Sequence, residues 1–148
     1  MPRKPPPFSQ AIQTKLQRAR VARLATLDEK CRPHIVPVCF ACDGPVFYTA
    51  VDRKPKRVAP QRLARLRNIR ATPQVALLID HYDEDWTQLW FILVRGKAKL
   101  LPKSAREERA RAIRRLRRKY PQYAKRMLPE DAPIVRITPK RIISWGSI

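Results

Sequence analysis

All three cysteines and one of the two histidines fall within Cys31–Cys42, CRPHIVPVCFAC. Ligands of that kind so close together suggest a zinc site or a redox pair. Cys39-Phe-Ala-Cys42 has CxxC spacing, and Cys31 and His34 would complete a set of four. The expected geometry argues against both. Zinc knuckles wrap CxxC around a turn, whereas Ile35–Phe40 alternates as an extended strand does. Along a strand, Cys39 and Cys42 point to opposite faces. A redox CxxC precedes a helix N-terminus, and no helix signal follows here. The stretch therefore reads as a strand with small buried thiols and no metal.

The charge balance is the next constraint. With 33 Lys and Arg against 12 Asp and Glu, the 148-residue chain carries +21. Self-repulsion on that scale is relieved by an anionic partner: nucleic acid, an acidic membrane surface, or a small ligand with several phosphates and carboxylates. The N-terminal MPRKPPPFSQ is positively charged but has no apolar run behind it, unlike a secretory leader. No segment reaches the ~20 apolar residues of a membrane-spanning helix. A cytoplasmic protein without membrane insertion is expected.

The elements that must position any site follow from hydrophobic period. Residues 1–8 read as a loose Pro-rich tail, and residues 9–148 as one domain. Ser9 is placed to cap a helix reaching Ala19, with Ile12 and Leu16 on its apolar side. Val21–Leu27 and Arg32–Cys42 read as strands. Pro33 and Pro37 make the second an edge strand or a bulged one. Asp43-Gly44 signals a hairpin returning through Val46–Ala50. Gln61–Arg70 has helical spacing at Leu63, Leu66 and Ile69, and Gln74–Asp80 is a buried strand. Leu89–Leu101 is a long strand with a bend expected at Gly96. Ser104, with Glu107 three residues on, is expected to cap a helix over Ala105–Tyr120 whose stripe is Ala112, Ile113 and Leu116. Ile134–Ile137 and Arg141–Trp145 read as two short strands around Thr138-Pro139. The sum is an α+β, mainly β architecture: a six-stranded antiparallel split barrel with flanking helices.

In that order the segments acquire a family likeness. RVARLATLDEKCRPHIVPVCFACDGPVFYTAVDRKPKR, then LRNIRATPQVALLID, DEDWTQLWFILVRGKAKLL and the closing RITPKRIISWG, resemble the pyridoxamine 5'-phosphate oxidase-like FMN-binding split barrels. The branch they resemble most is that of coenzyme F420 (deazaflavin)-dependent oxidoreductases. The turn Glu29-Lys30-Cys31, where the family often has Asp-Gly, and the Arg-rich helix 104–120 depart from the pattern.

The resemblance implies a homodimer with a flavin-like ring at its interface. His34, Val36, Pro37 and Val38 would line the ring, with Tyr48, Thr49 and Ala50 alongside. Arg53, Lys54, Lys56 and Arg57 would hold the phosphate, and Asn68 would help orient the tail. Trp86, Trp90 and the strand near Arg95 would cover the ring from the other subunit. In this class the cofactor carries the chemistry, passing hydride to an unsaturated small-molecule substrate. No nucleophile–base constellation is needed, so no catalytic residue is assigned. His34, Tyr48 and His81 are the candidate proton donors. Lys4, Lys15, Arg18 and Arg20 would suit the polyanionic tail of coenzyme F420, and FMN is the alternative. A basic nucleic-acid-binding protein is the rival from another class, but the chain has no reader motif and no aromatics interleaved with its basic run.

Overall fold

The computed structural model describes residues 8–54, 63–124 and 126–148. Lys4, Lys56, Arg57, most of the expected tail and the start of the Gln61–Arg70 segment lie outside them. Three helices flank a single antiparallel sheet: α1 (Gln10–Arg18), α2 (Ala64–Ala71) and α3 (Arg106–Lys119). Its strands are β1 (Ala22–Leu27), β2 (Pro33–Val38), β3 (Ala41–Asp43), β4 (Val46–Ala50), β5 (Gln74–His81), β6 (Trp90–Leu100) and β7 (Ile134–Gly146). They lie in the order β2-β1-β5-β6-β7-β4-β3. The curled sheet is the expected split barrel.

The strand count is seven rather than six, for two physical reasons. The second extended run breaks at Cys39-Phe40, because Tyr120 at the end of α3 takes over the backbone there. Its hydroxyl accepts from Phe40 N–H at 3.1 Å and lies 2.9 Å from Arg20 O and 3.2 Å from Phe40 O. β2 thus stays on β1, while β3 turns at Asp43-Gly44 to pair with β4. Gly44 sits at φ 57°, which suits glycine in that turn. Conversely, the two short C-terminal strands are one. β7 passes Pro139 without breaking because the register shifts opposite Arg95/Gly96, leaving Lys140 as the extra residue. A Cβ at Gly96 would collide with the Thr138 carbonyl oxygen.

The inner face of the sheet is the core. Leu24, Leu77, Ile79, Ile92 and Val94 fill it, and α1 and α2 close it with Leu16, Leu66 and Ile69. Burying one such side chain contributes about 1.5–3 kcal/mol. Ser9 caps α1 as expected, its Oγ accepting from Ile12 N–H at 3.2 Å. Phe8, at the edge of the expected tail, is buried edge-on against Phe47 at 5.4 Å. The prolines of β2 sit on an edge strand, where a missing donor costs no ladder bond.

The outer face is divided. α3 covers β3, β4 and the start of β7, burying Ala112, Ile113 and Leu116 against Ala41, Tyr48, Ala50 and Ile134. The expected cap on α3 is absent. The helix starts one residue later, at Arg106, with Ala105 as a cap that makes no side-chain bond. The Pro102–Ala105 turn, closed by Ala105 N–H donating to Pro102 O at 3.0 Å, displaces Ser104 from the capping position. No helix among the described residues is long and apolar enough to cross a membrane.

Candidate functional site

One groove joins the elements that the sequence singles out. Its walls are Pro37, Val38 and Cys39 at the end of β2, Ala50 at the end of β4, Asp52 and Lys54 beyond it, Arg65 on α2, and Tyr123 after α3. It encloses about 310 Å³. β2 and β4 are not neighbours in the sheet; they sit near its two ends, so the curl brings them together.

The polar end of the groove is organised around Asp52. Lys54 Nζ pairs with its Oδ2, Lys54 N–H donates to Oδ1 at 3.1 Å, and Tyr123 O–H donates to Oδ2 at 2.6 Å. Burial opposes ionisation of Asp52, but Lys54 and the Tyr123 hydroxyl outweigh it and bring the carboxyl down to about 2. Burial, the bond to Asp52 and the neighbouring Cys39 push the Tyr123 phenol up. Burial also lowers the pKa of Arg65, with Asp52 and Tyr123 only opposing it. An anion in the groove would offset that desolvation.

Of the residues expected at the site, Pro37, Val38, Ala50 and Lys54 meet in this groove. Along β2, His34 and Val36 share the face of Val38, and Ile35 shares that of Pro37. His34 and Val36 are half-buried, whereas Ile35 stands 66% exposed on the opposite face. His34 Nδ1 and Thr49 Oγ1 are buried with no hydrogen-bond partner among the described residues. Arg53 is exposed, its N–H donating to Met127 O at 2.9 Å.

Others are engaged elsewhere. Tyr48 is buried under α3, donating to Glu108 Oε1 at 2.8 Å, and burial pushes its phenol up to about 12. Asn68 is buried, and its Nδ2 donates to Thr26 Oγ1 at 2.9 Å, tying α2 to β1. Trp86 is 72% exposed in a 3₁₀ turn over Trp86–Gln88. Trp90 stacks on His81 and lies 5.2 Å from Lys15 Nζ, in a separate groove with Arg18 and Arg20. Arg95 is exposed, paired across the sheet with Ala76 and Arg141. Sequence reasoning missed Asp52, Arg65 and Tyr123. Asp52 lies inside the motif that suggested the family, but Tyr123 follows a helix-ending proline and carries no local signal.

Cys39 and Cys42 face apart as expected, although the strand breaks at Cys39-Phe40. Cys39 packs on the cluster under α3, and Cys42 on the barrel core. Both are free thiols, and burial pushes Cys42 up to about 12. Among the described residues no three His, Cys, Asp or Glu side chains gather as metal ligands.

Beyond α3 the outer face carries a row of partly exposed side chains. Pro37 and Arg23 are cross-strand partners, as are Arg23 and Leu78, Leu78 and Leu93, and Leu93 and Ile143. Next to this row Phe91 stacks on Trp145, which is 54% exposed. Arg23, paired with Asp80 at 2.7 Å, interrupts these partly exposed apolar residues.

The geometry has counterparts among known proteins. The chain is 30% identical over 144 residues to 5a,11a-dehydrotetracycline/5a,11a-dehydrooxytetracycline reductase of Streptomyces rimosus, covering 95% of this chain and 84% of the reductase. The conserved hypothetical protein Rv2991 of Mycobacterium tuberculosis superposes with a TM-score of 0.74 at 20% identity, covering 94% of this chain and 85% of that one. An F420 reductase superposes at 0.66 and 20% identity, covering 92% and 98%. The profile described as pyridoxamine 5'-phosphate oxidase matches residues 8–146, and with it this chain belongs to that family.

Proposed function

We propose that this chain is an oxidoreductase that holds a flavin-type hydride carrier in the groove between β2 and β4. We assign coenzyme F420 as the carrier, with FMN as the alternative. The observation that carries this reading is the meeting of Lys54 and desolvated Arg65 with the Pro37–Val38–Ala50 wall. A phosphate at the basic end would satisfy Arg65, and the wall beyond it would accept the flat, less polar part of the ligand. The likeness to a tetracycline-type reductase supports the reaction class. When bound, the reduced carrier supplies hydride to an electron-poor carbon of an unsaturated small molecule.

The protein's own part is positioning. Asp52 and Tyr123 fix the Lys54 ammonium, and α2 presents Arg65. Tyr48 is not a suitable proton donor, since its hydroxyl is already given to Glu108 and its pKa lies at about 12. The groove is open to solvent, so water can deliver the proton. We place this partly exposed row of the outer face against a second copy, giving a homodimer.

Titration with coenzyme F420, followed by quenching of its fluorescence, tests the reading. Lys54→Ala with Arg65→Ala should weaken binding tenfold or more, about 1.4 kcal/mol. The same titration with FMN ranks the two carriers. Unaltered binding of both carriers by the double variant would remove the groove from the proposal. Sedimentation tests the dimer, which Ile35→Asp should dissociate.

A further inference from the structure

Another groove, of about 670 Å³, runs between α3 and the segment 128–132. Lys103, Arg106, Arg109, Arg114 and Arg117 line it, over a floor of Ala110 and Ile113. Arg106, Ala110 and Arg114 recur every four residues and so share one helix face, spanning about 12 Å.

The way these cations are held is the telling feature. Arg109 Nη2 donates to Glu130 O at 3.1 Å and to Ala132 O at 2.8 Å, and Arg117 Nη2 to Leu128 O at 2.7 Å. Those partners are neutral carbonyls, so each guanidinium keeps its full charge. Arg109 is buried, and Arg117 Nε is buried with no partner among the described residues. None of the five cations is ion-paired to a carboxylate among the described residues, whereas Arg111 and Arg115 on the other flank pair with Asp43 at 3.4 and 3.0 Å. Part-buried guanidinium held only by neutral carbonyls is costly, and a bound anion offsets that cost.

We propose that this groove is a binding site for a compact anion bearing several phosphate groups, such as a free nucleoside triphosphate or inorganic oligophosphate. Guanidinium forks match phosphate oxygens two at a time. Glu130 and Asp131 stand on the opposite wall and disfavour a long uninterrupted polyanion. No aromatic side chain lines the groove for base stacking. The large apolar residues of α3, Ile113 and Leu116, are buried on the sheet, so the helix has no large apolar side chain to insert into a membrane.

Calorimetric titration of the full chain with inorganic tripolyphosphate in about 0.1 M salt tests the site. Binding at tens of micromolar or tighter is expected. Arg106→Gln with Arg114→Gln, both exposed, should weaken it at least tenfold. Lys30→Gln with Arg67→Gln, which removes equal charge elsewhere, should leave it within twofold. Absence of binding, or equal losses in both double variants, would overturn the proposal. So would a loss on Lys54→Ala with Arg65→Ala, which would place the anion in the first groove. Tighter binding of random duplex DNA or of anionic phosphatidylserine vesicles, with the same dependence on Arg106 and Arg114, would also overturn the compact-anion assignment.

Discussion

Two clusters in this molecule are built from the same three groups, a tyrosine, a carboxylate and a cation, and they end in different roles. Under α3, Tyr48 donates to Glu108, which also accepts from Arg136 Nη1 at 2.9 and 3.0 Å. In the groove, Tyr123 donates to Asp52, which pairs with Lys54. The first is framed by regular structure: Tyr48 and Arg136 are cross-strand partners of β4 and β7, and Glu108 comes from the helix above. The second hangs on chain that has left the sheet, with Lys54 exposed at its open side. Arg136 spends its guanidinium on Glu108 inside the packed face and makes a structural clasp, whereas Lys54, held by Asp52, keeps its ammonium at the mouth of the groove. Composition alone does not separate these two outcomes; the packing of α3 does.

The contrast breaks most visibly at Glu108. Glu108→Ala leaves buried Tyr48 and half-buried Arg136 without their acceptor and should cost about 2–3 kcal/mol by urea unfolding. Carrier affinity should stay within twofold. A large loss of affinity at unchanged stability would reverse the roles of the two clusters.

The acid limb of stability comes next. Asp52 has a native pKa of about 2, below its ordinary 3.8. Its contribution is therefore complete above about pH 4 and disappears as pH falls through 2. The stability gap between the parent and Asp52→Asn should narrow over that window. A gap that does not change between pH 5 and 2 would mean that the carboxylate gains nothing from Lys54 and Tyr123.

The smallest effects sharpen the comparison best. Tyr48→Phe and Tyr123→Phe each remove one hydroxyl and should each cost about 1 kcal/mol of stability. Only Tyr123→Phe should also weaken carrier binding, by a few-fold, because it loosens Asp52 and hence Lys54. Parallel affinity losses in the two variants would erase the distinction.

The same contrast marks how far the sequence could be read. The change of period at VARLATL and the apolar run QVALLID gave β1 and β5 nearly to the residue, and Ala112, Ile113 and Leu116 marked the buried stripe of α3. Those are local periods. The break at Phe40 was hidden because its cause, Tyr120, lies eighty residues away. Tyr48 stood out because it sits inside the family-like strand, yet its direction depends on α3 lying over that strand. Tyr123 reaches the groove only once α3 and the chain after it are in place. Pro139 looked like a strand end, but the bulge opposite Gly96 absorbs it.

β7 has one more consequence, for the order of assembly. It is the only strand hydrogen-bonded to both β6 and β4 among the described residues. Before residues 134–146 emerge from the ribosome, a nascent chain can form the ribbon β2-β1-β5-β6 and the small hairpin β3-β4, but no strand pairing joins them. Both would wait with open edges, and the most aggregation-prone interval of synthesis falls just before β7 arrives.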